Sequence, residues 1–121
     1  KILEKREVFK GSLAMSVVHP REVFKNAIKN SAASIVCVHN HPSGDPTPSI
    51  EDLLTTINLI EVGDVVGIEM LDHIVVAKEG YVSIRKILNY FNLENIDYKN
   101  KEVTREQLQF ILKKYKVVNN F

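Results

Sequence analysis

The sequence lacks most of the features that assign a chain to a special class. It has one cysteine in 121 residues, so no internal disulfide can form and a disulfide-stapled scaffold is excluded. That cysteine, Cys37, lies in an apolar run and reads as core packing in a reducing compartment. No apolar stretch reaches the length of a membrane-spanning helix, and no signal-peptide pattern opens the chain. The expected location is therefore the cytoplasm, with no membrane partner. Charge of either sign is missing as a signal, because 16 Lys and Arg stand against 15 Asp and Glu for a net charge of +1. Residues 1–88 hold 10 basic and 11 acidic side chains without a basic block, so nucleic-acid binding by counterion release has little support.

What is present is an ordinary globular balance, 45% apolar and 26% charged, at a length that suits one domain. The first residue is Lys, inside what reads as a strand, and the chain is expected to be a fragment truncated at its N-terminus. Residues 2–9 and 12–18 read as β, with Gly11 in the break. Pro20 suits a first helical turn, and Val23, Phe24, Ala27 and Ile28 recur at helical spacing through about Ser31. Arg21 and Glu22 belong to the exposed first turn, and His19 to a surface or capping role. Ser34-Ile35-Val36-Cys37-Val38 reads as a buried strand. Ile50, Leu53, Leu54, Ile57 and Ile60 mark a second amphipathic helix that should end near Gly63. Residues 65–69 and 71–77 read as two strands, with a short one at 81–84. The order β, β, α, β, α, β, β, β implies an α/β fold of three layers, with a mixed, mainly antiparallel sheet flanked by helices.

Residues 89–121 form a tail on the domain at 1–88. Asn89 to Val103 reads as a polar linker. Thr104-Arg105-Glu106-Gln107 has the form of a capping box ahead of a helix of about three turns, with Leu108, Ile111, Leu112 and Tyr115 on one face. Lys113, Lys114 and Lys116 fall where the dipole of that helix favours cations.

The chemistry concentrates between the buried strand and the second helix, in His39-Asn40-His41-Pro42-Ser43-Gly44-Asp45-Pro46-Thr47-Pro48-Ser49-Ile50-Glu51-Asp52. Side chains two apart on an extended segment point the same way, so His39 and His41 can approach one ion together. The prolines and Gly44 then turn the chain, and Ser49 stands at a helix N-cap with Asp52 in the first turn. Two histidines and a carboxylate are the ligand types of a catalytic zinc site, which keeps one position open for water. Ser49-Ile50-Glu51-Asp52 also has the form of a capping box, in which the acid bonds backbone amides instead. Cys37 shares a strand face with His39 but lies two residues deeper. Asp72 and His73 point to opposite faces of a strand, so at most one of them could reach a metal, and a structural role is favoured.

The pattern of His39, His41, Ser49 and Asp52 resembles the JAMM motif of the JAB/MPN+ metalloproteases. The wording from Val38 to Ser49 is similar to that of the bacterial RadC proteins. Further matches flank it, in Glu7-Val8-Phe9-Lys10-Gly11-Ser12-Leu13, Val18-His19-Pro20-Arg21-Glu22-Val23-Phe24, Leu71-Asp72-His73-Ile74-Val75-Val76 and Gly80-Tyr81-Val82-Ser83. The resemblance spans roughly residues 1–88 and implies the same α/β architecture, in a protein with further sequence ahead of this point. It also implies a Zn2+ ion held by His39, His41 and Asp52, with Asp45 not a ligand. Glu7 would be the catalytic base and Ser49 the donor to an oxyanion, in hydrolysis of a peptide or isopeptide bond of a peptide or protein substrate. Glu4 competes with Glu7, since residues three apart on a strand face opposite sides and apolar neighbours occur on both. The resemblance favours Glu7.

Two other classes fit part of this pattern. The RadC name carries a link to DNA repair, which suggests a DNA-associated binding module with a structural metal; the neutral charge argues against it. Two His and one carboxylate also form the facial triad of non-haem iron oxygenases, though an Asp at a helix start does not suit their β-barrel scaffolds.

Overall fold

A computed structural model describes residues 12–16, 19–91 and 105–118. Glu4, Glu7, the strand expected at 2–9 and Thr104 lie outside these residues. The elements run β1 (Ser12–Ser16), α1 (Pro20–Lys29), β2 (Ser34–Asn40), α2 (Ile50–Val66), β3 (Glu69–Ala77), β4 (Gly80–Ser83), α3 (Ile84–Tyr90) and α4 (Arg105–Val118). They form the expected α/β fold around one mixed sheet, in the order β1-β2-β3-β4.

Among the described residues the sheet is not mainly antiparallel. β1 with β2 and β2 with β3 are parallel, and β3 with β4 is antiparallel. The reason is the connections: a helix between consecutive strands returns the chain to its starting end, whereas the Lys78-Glu79 turn reverses it. This order places β2, the strand ending in His39 and Asn40, between two neighbours. Its C-terminal end opens toward the start of α2.

Local chemistry explains most helix boundaries. His19 caps α1 by accepting the Arg21 N–H at Nδ1 over 3.2 Å, and Pro20 follows at the first position. Val23, Phe24 and Ala27 are buried as their spacing predicts, and Arg21 and Glu22 are exposed, but Ile28 turns outward to solvent. α2 does not end at Gly63; it continues to Val66 and stops at Gly67, whose φ of 76° is the left-handed cap,. Gly63 instead stays inside the helix because Ile68 folds back over it: a Cβ there would lie 2.4 Å from the Ile68 carbonyl oxygen. Val65 and Val66 are thus helical, and the two strands expected at 65–69 and 71–77 are one, Glu69–Ala77.

α3 replaces the end of the short strand and the start of the expected linker. Ser83 caps it, accepting the Lys86 N–H while donating its hydroxyl to Asp72 Oδ2 at 2.7 Å. Asp72 also accepts from the backbone N–H of His73 and Arg85, which fixes it in the structural role expected. α4 forms as expected from Arg105 and packs on α2, with Leu108 and Ile111 entering the same core as Leu53, Ile57 and Leu59. Arg105 also meets Glu51 at 2.7 Å, an exposed pair worth at most about 1 kcal/mol,. Cys37 is fully buried and burial pushes its thiol up to about 12, so it stays protonated and packs as an apolar group,. No helix among the described residues is long and apolar enough to cross a membrane.

The contact at Gly63 generates a test. Gly63→Ala should destabilise the chain by about 1–3 kcal/mol, the usual cost of forcing an atom into a packed site. Urea unfolding should show a lower midpoint at an unchanged slope. A midpoint equal to that of the parent would mean that α2 and Ile68 separate without cost.

Candidate metal centre

The centre is assembled by the end of β2, the loop that follows it and the first turn of α2. His39 and His41 leave the strand on the same side, as the two-residue period requires. The loop is then pinned against the β3–β4 hairpin: His41 N–H donates to the Val76 carbonyl at 2.8 Å, and Glu79 N–H donates to the Gly44 carbonyl at 3.0 Å. Gly44 takes φ 91°, a backbone that few other residues adopt,. Asp45 holds the loop locally, accepting the Thr47 N–H and hydroxyl at Oδ1. Its side chain stands outside the group of His39, His41 and Asp52 that offers ligand atoms.

Ser49 and Asp52 form the capping box. Ser49 Oγ accepts the Asp52 N–H at 3.0 Å, and Asp52 Oδ2 accepts the Ser49 N–H at 2.8 Å. The capping and ligand roles are nevertheless not alternatives, because the same buried carboxylate faces both histidines. Its Oδ1 lies 2.8 Å from His39 Nδ1 and its Oδ2 lies 3.1 Å from His41 Nε2. Capping uses only a lone pair of the Ser49 hydroxyl, so its proton remains available to a further acceptor.

The directions of these contacts test whether a cation fits. His41 Nδ1 sits 3.1 Å from the Asp45 carbonyl oxygen, which can only accept, so Nδ1 carries the proton,. That leaves the lone pair of a neutral His41 at Nε2, facing the Asp52 carboxylate, and such a pair needs a second proton or a metal ion between them. An outer hydrogen bond of this kind commonly orients a metal-binding imidazole. His39 Nδ1 is buried and, despite its 2.8 Å approach to Asp52, lacks the direction of a hydrogen bond. A ring nitrogen and a carboxylate oxygen brought together without a hydrogen bond between them suit a shared cation. Ligand atoms of His39, His41 and Asp52 lie within 4.8 Å of one another, and these residues could hold a metal ion.

The carboxyl of Asp52 is tuned to remain charged. Burial alone would raise its proton affinity, but the Ser49 N–H, the two histidines and the Ser49 hydroxyl outweigh burial and hold it below its ordinary value,. Glu7, expected to complete the centre, lies outside the described residues.

A second tier beneath these groups was not anticipated. Thr56, one helical turn after Asp52, is fully buried, and its Oγ1 lies 2.7 Å from the Asp52 carbonyl oxygen and 2.6 Å from His73 Nδ1. The i, i+4 spacing of Asp52 and Thr56 was the available signal. His73 was harder to place, because β3 contains a bulge: Met70 pairs with Ile35 but Asp72 with Val36, leaving Leu71 extra. One inserted residue reverses the alternation, so His73 and Val75 join Met70 on the buried face while Asp72 points away,. His73 therefore lies under His39, its ring nearly parallel at 23° and 6.0 Å between centroids, but outside the ligand group.

A family model described as the RadC-like JAB domain matches residues 1–90. The chain belongs to this family. Among curated relatives of the RadC-like JAB domain seen here, the UPF0758 protein YsxA of Bacillus subtilis (strain 168) is 59% identical over 85 residues, which cover 70% of this chain and 37% of the relative. The UPF0758 protein GWCH70_2550 of Geobacillus sp. (strain WCH70) is 56% identical over 85 residues, with 70% and 38% covered. The UPF0758 protein lmo1549 of Listeria monocytogenes serovar 1/2a is 55% identical, with the same coverage. The chain thus matches a little over a third of the length of these relatives.

The buried imidazole makes the metal-free domain acid-sensitive above the carboxylate range. Burial, the largest cause, lowers the His73 pKa from 6.5 to about 4 despite the attraction of Asp52. Between those values the unfolded chain binds more protons than the folded one, so stability is complete above pH 6.5 and falls as the pH drops toward 4. The loss from this group is roughly 3 kcal/mol. Asp52 loses its own contribution lower, as the pH falls below its ordinary 3.8,. In chelator-treated protein, urea midpoints from pH 7 to 4 should fall, and His73→Asn should flatten the slope. An equal slope in the variant would assign the acid sensitivity to other groups.

Proposed function

We propose that this RadC-like JAB domain is a zinc-dependent hydrolase that cleaves a peptide or isopeptide amide bond. The supporting observation is the gathering of ligand atoms from His39, His41 and Asp52 within 4.8 Å of one another, with His41 Nε2 and an Asp52 oxygen facing each other as two acceptors that a cation or a proton would bridge. Two imidazoles and a carboxylate match the nitrogen and oxygen donors of zinc hydrolases. When bound, zinc supplies a water that is nucleophilic at neutral pH.

In this reading the protein groups divide the chemistry between them. His39, His41 and Asp52 hold the metal, and the Asp45 carbonyl keeps His41 in the tautomer that presents Nε2. Glu7 takes the proton of the attacking water and returns it to the leaving amine. The hydroxyl of Ser49, exposed at the start of α2, donates to the oxygen of the carbonyl under attack as negative charge develops there,. The substrate is a peptide or protein, and the buried, protonated Cys37 suits work in the reducing cytoplasm,. What the longer proteins of this family do as a whole is part of the same proposal.

Metal analysis of the purified chain should give one zinc, lost in His39→Ala, His41→Ala and Asp52→Ala, with Asp45→Ala as a control that keeps it. Full zinc in Asp52→Ala would reduce that carboxylate to its capping role. Against a peptide and isopeptide library, Glu7→Gln should keep the metal and lower kcat by at least 100-fold. If Glu4→Gln abolished turnover while Glu7→Gln did not, the base would be on the other face of the strand. Equal zinc with no Glu7-dependent cleavage, together with salt-dependent DNA binding, would favour the DNA-associated module.

A further inference from the structure

His73 carries a cost with no return inside the core. Its side chain is fully buried, and Nε2 has no hydrogen-bond partner among the described residues. A leucine or phenylalanine would fill the space without burying an unsatisfied nitrogen. The contacts of the ring show what an imidazole does there that an apolar group would not.

Thr56 fixes its orientation. The hydroxyl has one proton, and its oxygen lies within bonding distance of both the Asp52 carbonyl and His73 Nδ1. The carbonyl can only accept, so both bonds exist together in one arrangement: Thr56 donates to Asp52, and His73 Nδ1–H donates to Thr56. The ring is thereby locked to the first turn of α2, the turn that carries Asp52.

The same ring supports His39. His41 is oriented by a hydrogen bond from Nδ1 to the Asp45 carbonyl, but Nε2 of His39 makes no such bond among the described residues. Its plane is set by neighbouring rings, His41 edge-on at 4.7 Å and His73 nearly parallel at 6.0 Å. Both spacings lie in the range of ring pairs with preferred geometry. We propose that His73 is a positioning residue of the metal centre: through its ring face it sets the plane of His39, and through Thr56 it ties that plane to the turn bearing Asp52. It is neither a ligand nor a group that touches substrate. This proposal rests on the metal reading and extends it to two residues outside the ligand set.

Three variants separate the two links. Thr56→Val keeps the shape but removes the hydroxyl; His73→Phe keeps a ring but removes the donor; His73→Asn keeps a donor near the Nδ1 position but removes the ring. Each is compared with the parent for thermal midpoint without metal, zinc affinity by chelator competition, and the visible absorption of the cobalt-substituted chain. A positioning role predicts that at least Thr56→Val remains folded, that zinc affinity falls by 10- to 100-fold in all three, the range for residues that orient ligands, and that the cobalt bands shift. A role confined to packing would move the metal-free midpoint while leaving the zinc affinity and the cobalt bands of the folded variants unchanged, and would overturn the proposal. A parent chain that binds neither zinc nor cobalt would overturn the metal reading itself, and this proposal with it.

Discussion

Everything at the site depends on one carboxylate doing two things at once. Asp52 closes the N-terminus of α2 by accepting the Ser49 N–H, and it faces His39 and His41 with its two oxygens. Helix capping and metal binding ask for the same group, a fixed anion, and the positive end of the helix helps to keep it ionised. The cap thus prepositions the ligand, and the backbone of α2 need not move to present it. An alanine at this position would lose both.

The surrounding structure limits where the histidines can be. β2 is held between β1 and β3, so its alternation cannot slip without moving every buried residue on it,. The loop that follows is bonded to the hairpin of β3 and β4 at His41 and Gly44. Strand and loop together fix the distance from His39 to the start of α2, leaving the side chains little freedom in how they meet.

Much of this was legible in the sequence, because it depends on short-range rules. The His-x-His period, the proline-rich turn, the Ser49 cap and the 3.6-residue spacing of α1, α2 and α4 are local and strong. The resemblance of residues 1–88 to the RadC proteins agrees with a family match that covers residues 1–90. What was misread depended on contacts distant in sequence. Gly63 looked like a helix end, since nothing local reveals that Ile68 folds back onto it. Val65 and Val66 have strand propensity, but the left-handed Gly67 decides where the helix stops. Among the described residues the sheet is mainly parallel because α1 and α2 carry the chain back between strands, a pairing that strand count alone does not reveal.

The bulge at Leu71 lets β3 absorb one change in length. Upstream of it the strand keeps one parity and downstream the other, and the change falls just before Asp72 and His73. Without Leu71, Met70 opposite Ile35 would be followed directly by Asp72 opposite Val36 and His73 opposite Cys37, so both side chains would keep their sides of the sheet,. The floor of the site would survive the loss of the extra residue, because it depends on the register downstream of the bulge and not on the bulge itself.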